Sequence, residues 1–189
     1  MKSFSVYLKE DATTTTTKPP AIYLDMDETI VDWMVAADRA LAAAGLPKWR
    51  DPYWKQFSDE ENDKVRWGAV NAIPDFWEKL EFSSEGKKIW NFVKKYKPYI
   101  LSACGPHAKY AKPGKIKWIS ANLGTSNLSG VHLVRSHDKK NYAKMNGKPT
   151  VLIDDYSKNC REFEGSGGIS IQTTTASEVI FKLKKLGFR

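Results

Sequence analysis

Three acids stand within four positions at the end of an apolar run: Ala21-Ile22-Tyr23-Leu24 leads into Asp25, Asp27 and Glu28. A second apolar run, Val151-Leu152-Ile153, ends in Asp154 and Asp155. Carboxylates repel one another and are costly to bury. A single Asp after a strand is commonly a helix N-cap. Two acid pairs, each directly past an apolar run, instead favour a shared site. Converging carboxylates do not all stay ionised without a cation. Oxygen ligands suit a hard ion, and Mg²⁺ takes one or two carboxylates together with water and substrate phosphate. Asp25, Asp27, Asp154 and Asp155 are therefore the candidate metal set.

A carboxylate can also attack phosphorus. Asp25, one residue past the buried run, is held rigidly enough to act as nucleophile and form an aspartyl-phosphate. Asp27, two residues on, faces the same side if the chain stays extended. It is placed to protonate a leaving oxygen and later to deprotonate water. A hydroxyl and a lysine would gather the remaining phosphoryl oxygens, alongside the cation. Ser102, closing the apolar stretch Tyr99-Ile100-Leu101, is the candidate hydroxyl.

Strands and helices alternate in the pattern that must position these groups. Ala21–Leu24, 99–103, 131–134, 149–155 and 167–172 read as strands. Helical stretches follow: an Ala-rich one stopped by Gly45, one over 85–96 with Ile89, Trp90, Val93 and Tyr96 near one face, one over 112–124 with Pro113 in its first turn, and a closing helix with Ser177 as N-cap. The expected fold is α/β, a doubly wound Rossmann-like parallel sheet with helices on both faces. Ligands of such sheets sit beyond the carboxyl ends of the strands, where Asp25, Ser102 and Asp154 all fall. Residues 33–82 break the rhythm. They are helical and aromatic-rich, with a capping box at Ser58 and Glu61, and read as a small helical cap inserted after the first strand. Residues 1–19 read as an arm or linker, with alternation at Phe4, Val6 and Leu8 and a Thr-rich stretch ending in two prolines. The main domain then spans 20–189.

The chain has 189 residues, 41% hydrophobic and 28% charged, which suits one soluble domain. No apolar stretch approaches the roughly 18 residues of a membrane span. No h-region marks a signal peptide, so a cytoplasmic protein is expected, with Cys104 and Cys160 as free thiols. The net charge of +8 favours anionic partners, although the lysines are dispersed.

These residues reach a known pattern. Asp25-Met26-Asp27-Glu28-Thr29, Ile100-Leu101-Ser102-Ala103, a lysine ahead of the last acid pair, and Val151-Leu152-Ile153-Asp154-Asp155 resemble, in order, the four motifs of the haloacid dehalogenase (HAD) phosphohydrolase superfamily. The resemblance covers about residues 20–189. It implies Asp25 as nucleophile, Asp27 as acid/base, Ser102 as phosphate ligand, and Mg²⁺ held at Asp154 and Asp155. It further implies that Asp27 meets the metal through its backbone carbonyl. Lys139 fits the motif lysine, ahead of Asn141-Tyr142-Ala143; Lys140 is the alternative, and Lys144 also lies upstream of the acid pair.

The chain looks most like the 5′(3′)-deoxyribonucleotidases of this superfamily. On that resemblance Trp33, Phe76 and Trp77 line the base pocket. Lys115, in Lys115-Ile116-Lys117-Trp118, lies near the phosphate, and Ala103 stands where those enzymes offer a second hydroxyl. Glu28 replaces a Gly common in the superfamily, and His137 stands where an Arg is usual. Aromatic walls suit a nucleobase whatever its identity. The expected activity is Mg²⁺-dependent hydrolysis of (deoxy)nucleoside monophosphates. The rival readings are a phosphatase of nucleic-acid ends or phosphoproteins, and a non-catalytic nucleotide-binding module. No membrane partner is expected, and a homodimer is compatible with the arm.

Overall fold

Residues 19–189 are described by the computed structural model; the strand-like alternation at Phe4, Val6 and Leu8 lies outside the described residues. Successive strand residues point to opposite faces, and the short strands use both. Ile22, Leu24, Ile100, Val151, Ile153 and Ile171 join the larger core cluster. Tyr23, Leu101 and Leu152 join the smaller one on the other face. A strand apolar on both faces must be covered twice, which is the requirement a parallel sheet between helices meets.

The order is β1 (Ile22–Leu24), α1 (Trp33–Ala43), α2 (Asp59–Asn71), α3 (Ser84–Val93), β2 (Tyr99–Ala103), α4 (Ala111–Asn122), β3 (Gly130–Val134), β4 (Lys144–Met145), β5 (Lys148–Pro149), β6 (Val151–Asp154), α5 (Ser157–Gly165), β7 (Ile169–Gln172) and α6 (Ala176–Lys185). Five parallel strands form one sheet in the order β3-β2-β1-β6-β7. The expected α/β fold with a parallel sheet is therefore present. Trp90 and Val93 of α3, Trp118 and Ile119 of α4, and Val179 and Leu183 of α6 fill the larger core. Phe163 of α5 fills the smaller one beside Ala143. Residues 33–82, all described, contribute helices and no strand of this sheet.

Local chemistry accounts for most boundaries. Gly45 and Gly124, at φ of +69° and +73°, follow α1 and α4 in the left-handed region that glycine favours. The capping box at α2 is formed, with Ser58 N–H donating to Glu61 Oε2 at 2.9 Å. Three expectations are corrected. Thr175, not Ser177, caps α6: its Oγ1 accepts from Glu178 N–H, and Thr-Ala-Ser-Glu carries that three-residue spacing. Lys148–Pro149 belongs to an antiparallel hairpin with Lys144–Met145, which shortens the strand expected over 149–155. Its turn is Asn146-Gly147, both at positive φ, the Asn-Gly signal of a two-residue hairpin. Gly167 at φ +87° turns the chain ahead of β7 rather than joining it.

No described helix is long and apolar enough to cross a membrane. Cys104 and Cys160 are free and buried, and burial raises both thiols above their ordinary pKa.

Glu28 has a structural reason. Its φ is +55°, which explains why glycine suits this turn. The side chain contributes in return: Glu28 Oε1 accepts from Met34 N–H at 2.6 Å, while the N-cap residue of α1, Asp32, makes no side-chain cap. A carboxylate there also faces the positive end of the helix. Glu28→Ala keeps the strained backbone and loses the acceptor, so it should cost about 1–2 kcal/mol. Glu28→Gly loses the acceptor but relaxes the backbone, and should be closer to wild type by about 1 kcal/mol. Urea unfolding midpoints compare the two; a Gly variant less stable than the Ala variant would refute this account.

Candidate active site

The site is built where the sheet order reverses. Chain crossovers carry β2 and β3 to one side of β1 and β6 and β7 to the other, which opens a crevice beyond the carboxyl ends of β1 and β6. These strands pair in register, Leu24 beside Ile153, and Asp25 N–H donates to Ile153 O at 2.9 Å. The acids that follow each strand are thereby set side by side. Met26, fully buried, anchors the loop between Asp25 and Asp27, and its carbonyl accepts from the N–H groups of Thr29, Ile30 and Val31.

Asp25, Asp154 and Asp155 form one carboxylate group, with an oxygen from each lying within 4.8 Å of the others. Lys139 enters this group from the 3₁₀ turn after β3. It is 1% exposed, and its Nζ lies 2.6 Å from Asp154 Oδ2 and 2.9 Å from Asp25 Oδ1. Lys140 and Lys144 are exposed, so tertiary placement selects Lys139 among the three lysines. Burial alone would lower the Lys139 pKa; the charges of Asp25 and Asp154 more than reverse it and hold the ammonium form. Asn159 was missed in the sequence. Its buried amide nitrogen lies 3.2 and 3.0 Å from the two Asp154 oxygens, and its Oδ1 accepts from Ser136 Oγ at 2.7 Å. The only local signal is its place five residues after Asp154, in the first turn of α5. Tyr156 N–H adds a 2.9 Å bond to Asp154 Oδ1.

Asp27 belongs to a different group. Its Oδ2 accepts from Lys115 Nζ at 2.6 Å, outside the three-carboxylate group. Its side chain is thus not grouped with those of Asp154 and Asp155. Lys115 is fully buried and spends its other two protons on Ser102 Oγ at 2.9 Å and Ala103 O at 2.8 Å. The ammonium also lies 4.8 Å from the centroid of the Trp77 ring. Gly114 permits this approach: a Cβ there would stand 2.4 Å from Trp77 Cβ. Burial pushes the Asp27 carboxyl up and the Lys115 charge opposes it.

Four acids, Asp25, Asp27, Asp154 and Asp155, face two ammonium groups, Lys115 and Lys139. Burial and the charges of Asp25 and Asp154 push Asp155 up to about 7. Asp27 Oδ1 is buried and accepts no hydrogen bond, while Asp25 Oδ1 is held in an ion pair with the Lys139 ammonium at 2.9 Å. The donor set therefore fits a hard cation at Asp25, Asp154 and Asp155.

The expected base-contacting residues are placed differently from one another. Trp33, Phe76 and Trp77 are 8%, 5% and 3% exposed and pack in a common aromatic group with Trp49 and Trp67. Half-buried Trp67 lies nearly parallel to Trp77, at 19° and 6.5 Å between centroids. Only Trp77 of the three reaches the charged site, through Lys115. Ala103 contributes its carbonyl rather than a side chain.

Solved structures share this architecture. YfnB from Bacillus subtilis, assigned as a HAD-hydrolase and solved with magnesium, superposes with a TM-score of 0.59 at 13% identity, covering 88% of this chain and 99% of that one. The haloacid dehalogenase-like protein SP0104 from Streptococcus pneumoniae gives 0.57 at 13% identity, over 86% and 90%. The L-2-haloacid dehalogenase from Xanthobacter autotrophicus gives 0.56 at 13%, over 89% and 83%. No family model matches the sequence, and no curated protein matches it. At such low identity the likeness defines the fold: this chain has the fold of the HAD-like hydrolases.

The Asp27–Lys115 pair is testable by a double-mutant cycle. Lys115→Met leaves a largely enclosed carboxyl without its counter-charge and should cost about 3 kcal/mol in unfolding free energy. Adding Asp27→Asn should recover part of that loss. Strictly additive effects would show that the two groups are not coupled.

Proposed function

We propose that the protein is a Mg²⁺-dependent phosphomonoesterase that works through an aspartyl-phosphate on Asp25 and takes nucleoside monophosphates. The observation that carries the reading is the pairing of each acid with its own buried lysine: Asp25 with Lys139, Asp27 with Lys115. An Asp25 carboxylate oxygen attacks phosphorus and the ester P–O bond breaks. Asp27 gives its proton to the departing alkoxide, a role suited by the burial that raises its pKa. Water then attacks phosphorus, Asp27 takes a proton back, and the bond to Asp25 breaks to release phosphate. Ser102 and Lys139 flank the phosphoryl group, and Asn159 holds Asp154 in orientation. Asp25, Asp154 and Asp155 would hold Mg²⁺, which would supply the charge neutralisation that lets an anionic ester approach these acids.

A carbon–halogen substrate is the chemical alternative on this fold. Halide leaves as a stable anion and needs neither a proton donor nor a cation. The acid two residues past Asp25 and the three-carboxylate group favour phosphoryl transfer instead. The nucleotide class rests on the aromatic group of residues 33–82, read as a cap over the site. With Trp33 and Phe76 buried, partly buried Trp67 becomes the better candidate for stacking on a base.

Asp25→Asn should lower turnover of p-nitrophenyl phosphate and of deoxynucleoside monophosphates by about 10⁴-fold or more. Retained turnover would sink the mechanism. Mg²⁺ should raise the wild-type Tm, and Asp154→Asn should remove most of that shift. An unchanged shift would place the cation elsewhere.

A further inference from the structure

A second charged feature borders the acid site and has no part in the chemistry above. A cavity of about 600 Å³ lies past the carboxyl ends of β2 and β3, between the first turn of α4 and the loop after β3. Lys109, Lys112 and Arg135 line it against a single carboxylate, Asp138, with Cys104 and Pro113 in its apolar wall. Among the described residues none of the three cations is in an ion pair. Asp138 instead faces His137, at 3.3 Å between Oδ1 and Nε2. Like charges gathered around one hollow repel, and an anion placed among them removes the penalty.

The backbone carrying these cations is tied down from two sides. Asn71 of α2 donates from Nδ2 to His107 O at 2.8 Å, and its Oδ1 accepts from Lys109 N–H at 3.0 Å. Cys104 N–H donates to Val134 O at 2.8 Å, which joins the loops after β2 and β3. Helix α4 starts here without a side-chain cap, so its first N–H groups add positive potential at the same rim.

The cavity adjoins the acid site. Lys112 precedes Lys115 by three residues, about 4.5 Å along the helix axis. Asp138 directly precedes Lys139, and Cys104 directly follows Ala103, whose carbonyl accepts from Lys115. A group held at Lys112 and Arg135 and a phosphate at Asp25 are therefore within reach of one small molecule.

We infer that this cavity binds a second phosphate of the substrate, so that the preferred ester is a nucleotide phosphorylated at two positions. The inference rests on the phosphatase reading and puts a nucleotide with a second phosphate in place of the monophosphate as the preferred ester. The scissile phosphate lies at Asp25; the other stays intact among Lys109, Lys112 and Arg135. The second phosphate is either a free monoester or the phosphodiester of a short oligonucleotide, and the same chemistry recognises both.

Steady-state kinetics on the full chain with Mg²⁺ test it. The substrates are the 5′- and 3′-monophosphates of one deoxynucleoside, its 3′,5′-bisphosphate, and a 3′-phosphorylated dinucleotide. Wild type should favour one of the last two over the better monophosphate by about tenfold or more in kcat/KM. The faster of the two names the source of the second phosphate. The Lys112→Ala/Arg135→Ala double variant should erase that preference while keeping monophosphate kcat/KM within about twofold, because neither residue then has a ligand to hold. No preference in wild type, or a preference that survives in the double variant, overturns the inference while leaving the phosphatase reading intact. No phosphate release from any of the four, nor from p-nitrophenyl phosphate, overturns both.

Discussion

Everything at the working end of this sheet follows from one electrostatic constraint: carboxylates brought together in a partly buried crevice must be compensated. Two lysines do part of it. Lys139, 1% exposed, stands between Asp25 and Asp154, and Lys115, fully buried, binds Asp27. An ammonium is rarely buried at all, and two within one site are tolerable only because each meets an opposite charge. The pairing also separates two acids that are two residues apart. Asp25 joins the three-carboxylate group and Asp27 does not. The proposed nucleophile and proton carrier would need such separate surroundings, since one must be ionised when the other holds a proton.

The aromatic segment is coupled to this charge arrangement through Lys115. Trp77 packs against Gly114 and under the Lys115 ammonium, while Trp33, Trp49 and Trp67 complete the ring cluster behind it. Trp77 thus helps to fix the lysine that binds Asp27, beyond any contact with a ligand. An aromatic cluster at 33–82 is therefore part of how the site is supported. Glu28 has a comparable double character. It occupies a backbone conformation that suits glycine, and its carboxylate supplies the α1 cap that Asp32 does not.

Much of the fold is legible along the chain because its signals are local. Apolar runs of three to five residues, the Ser58–Glu61 capping box and the glycines after α1 and α4 each act over a few positions. The boundaries that differ are local too. Thr175 and Ser177 are both plausible caps until the spacing to Glu178 is weighed, and the Asn146-Gly147 hairpin is short enough to pass for a loop. Asn159 was not legible, because its importance lies in a contact with Asp154 made after α5 folds back.

By itself the sequence determined the α/β alternation and the placement of acids past two strands, because strand length, side-chain alternation and turn chemistry depend on neighbours along the chain. The tertiary structure alone decided which charges meet. It chose Lys139 over Lys140 and Lys144, turned Lys115 inward to Asp27 and Ser102, and buried Trp33 and Phe76. It also gathered Lys109, Lys112 and Arg135 around one cavity. Coulomb interactions and desolvation act through space, between residues as many as 130 positions apart in Asp25 and Asp155. No pattern along the chain specifies such distances until the sheet has closed β1 against β6.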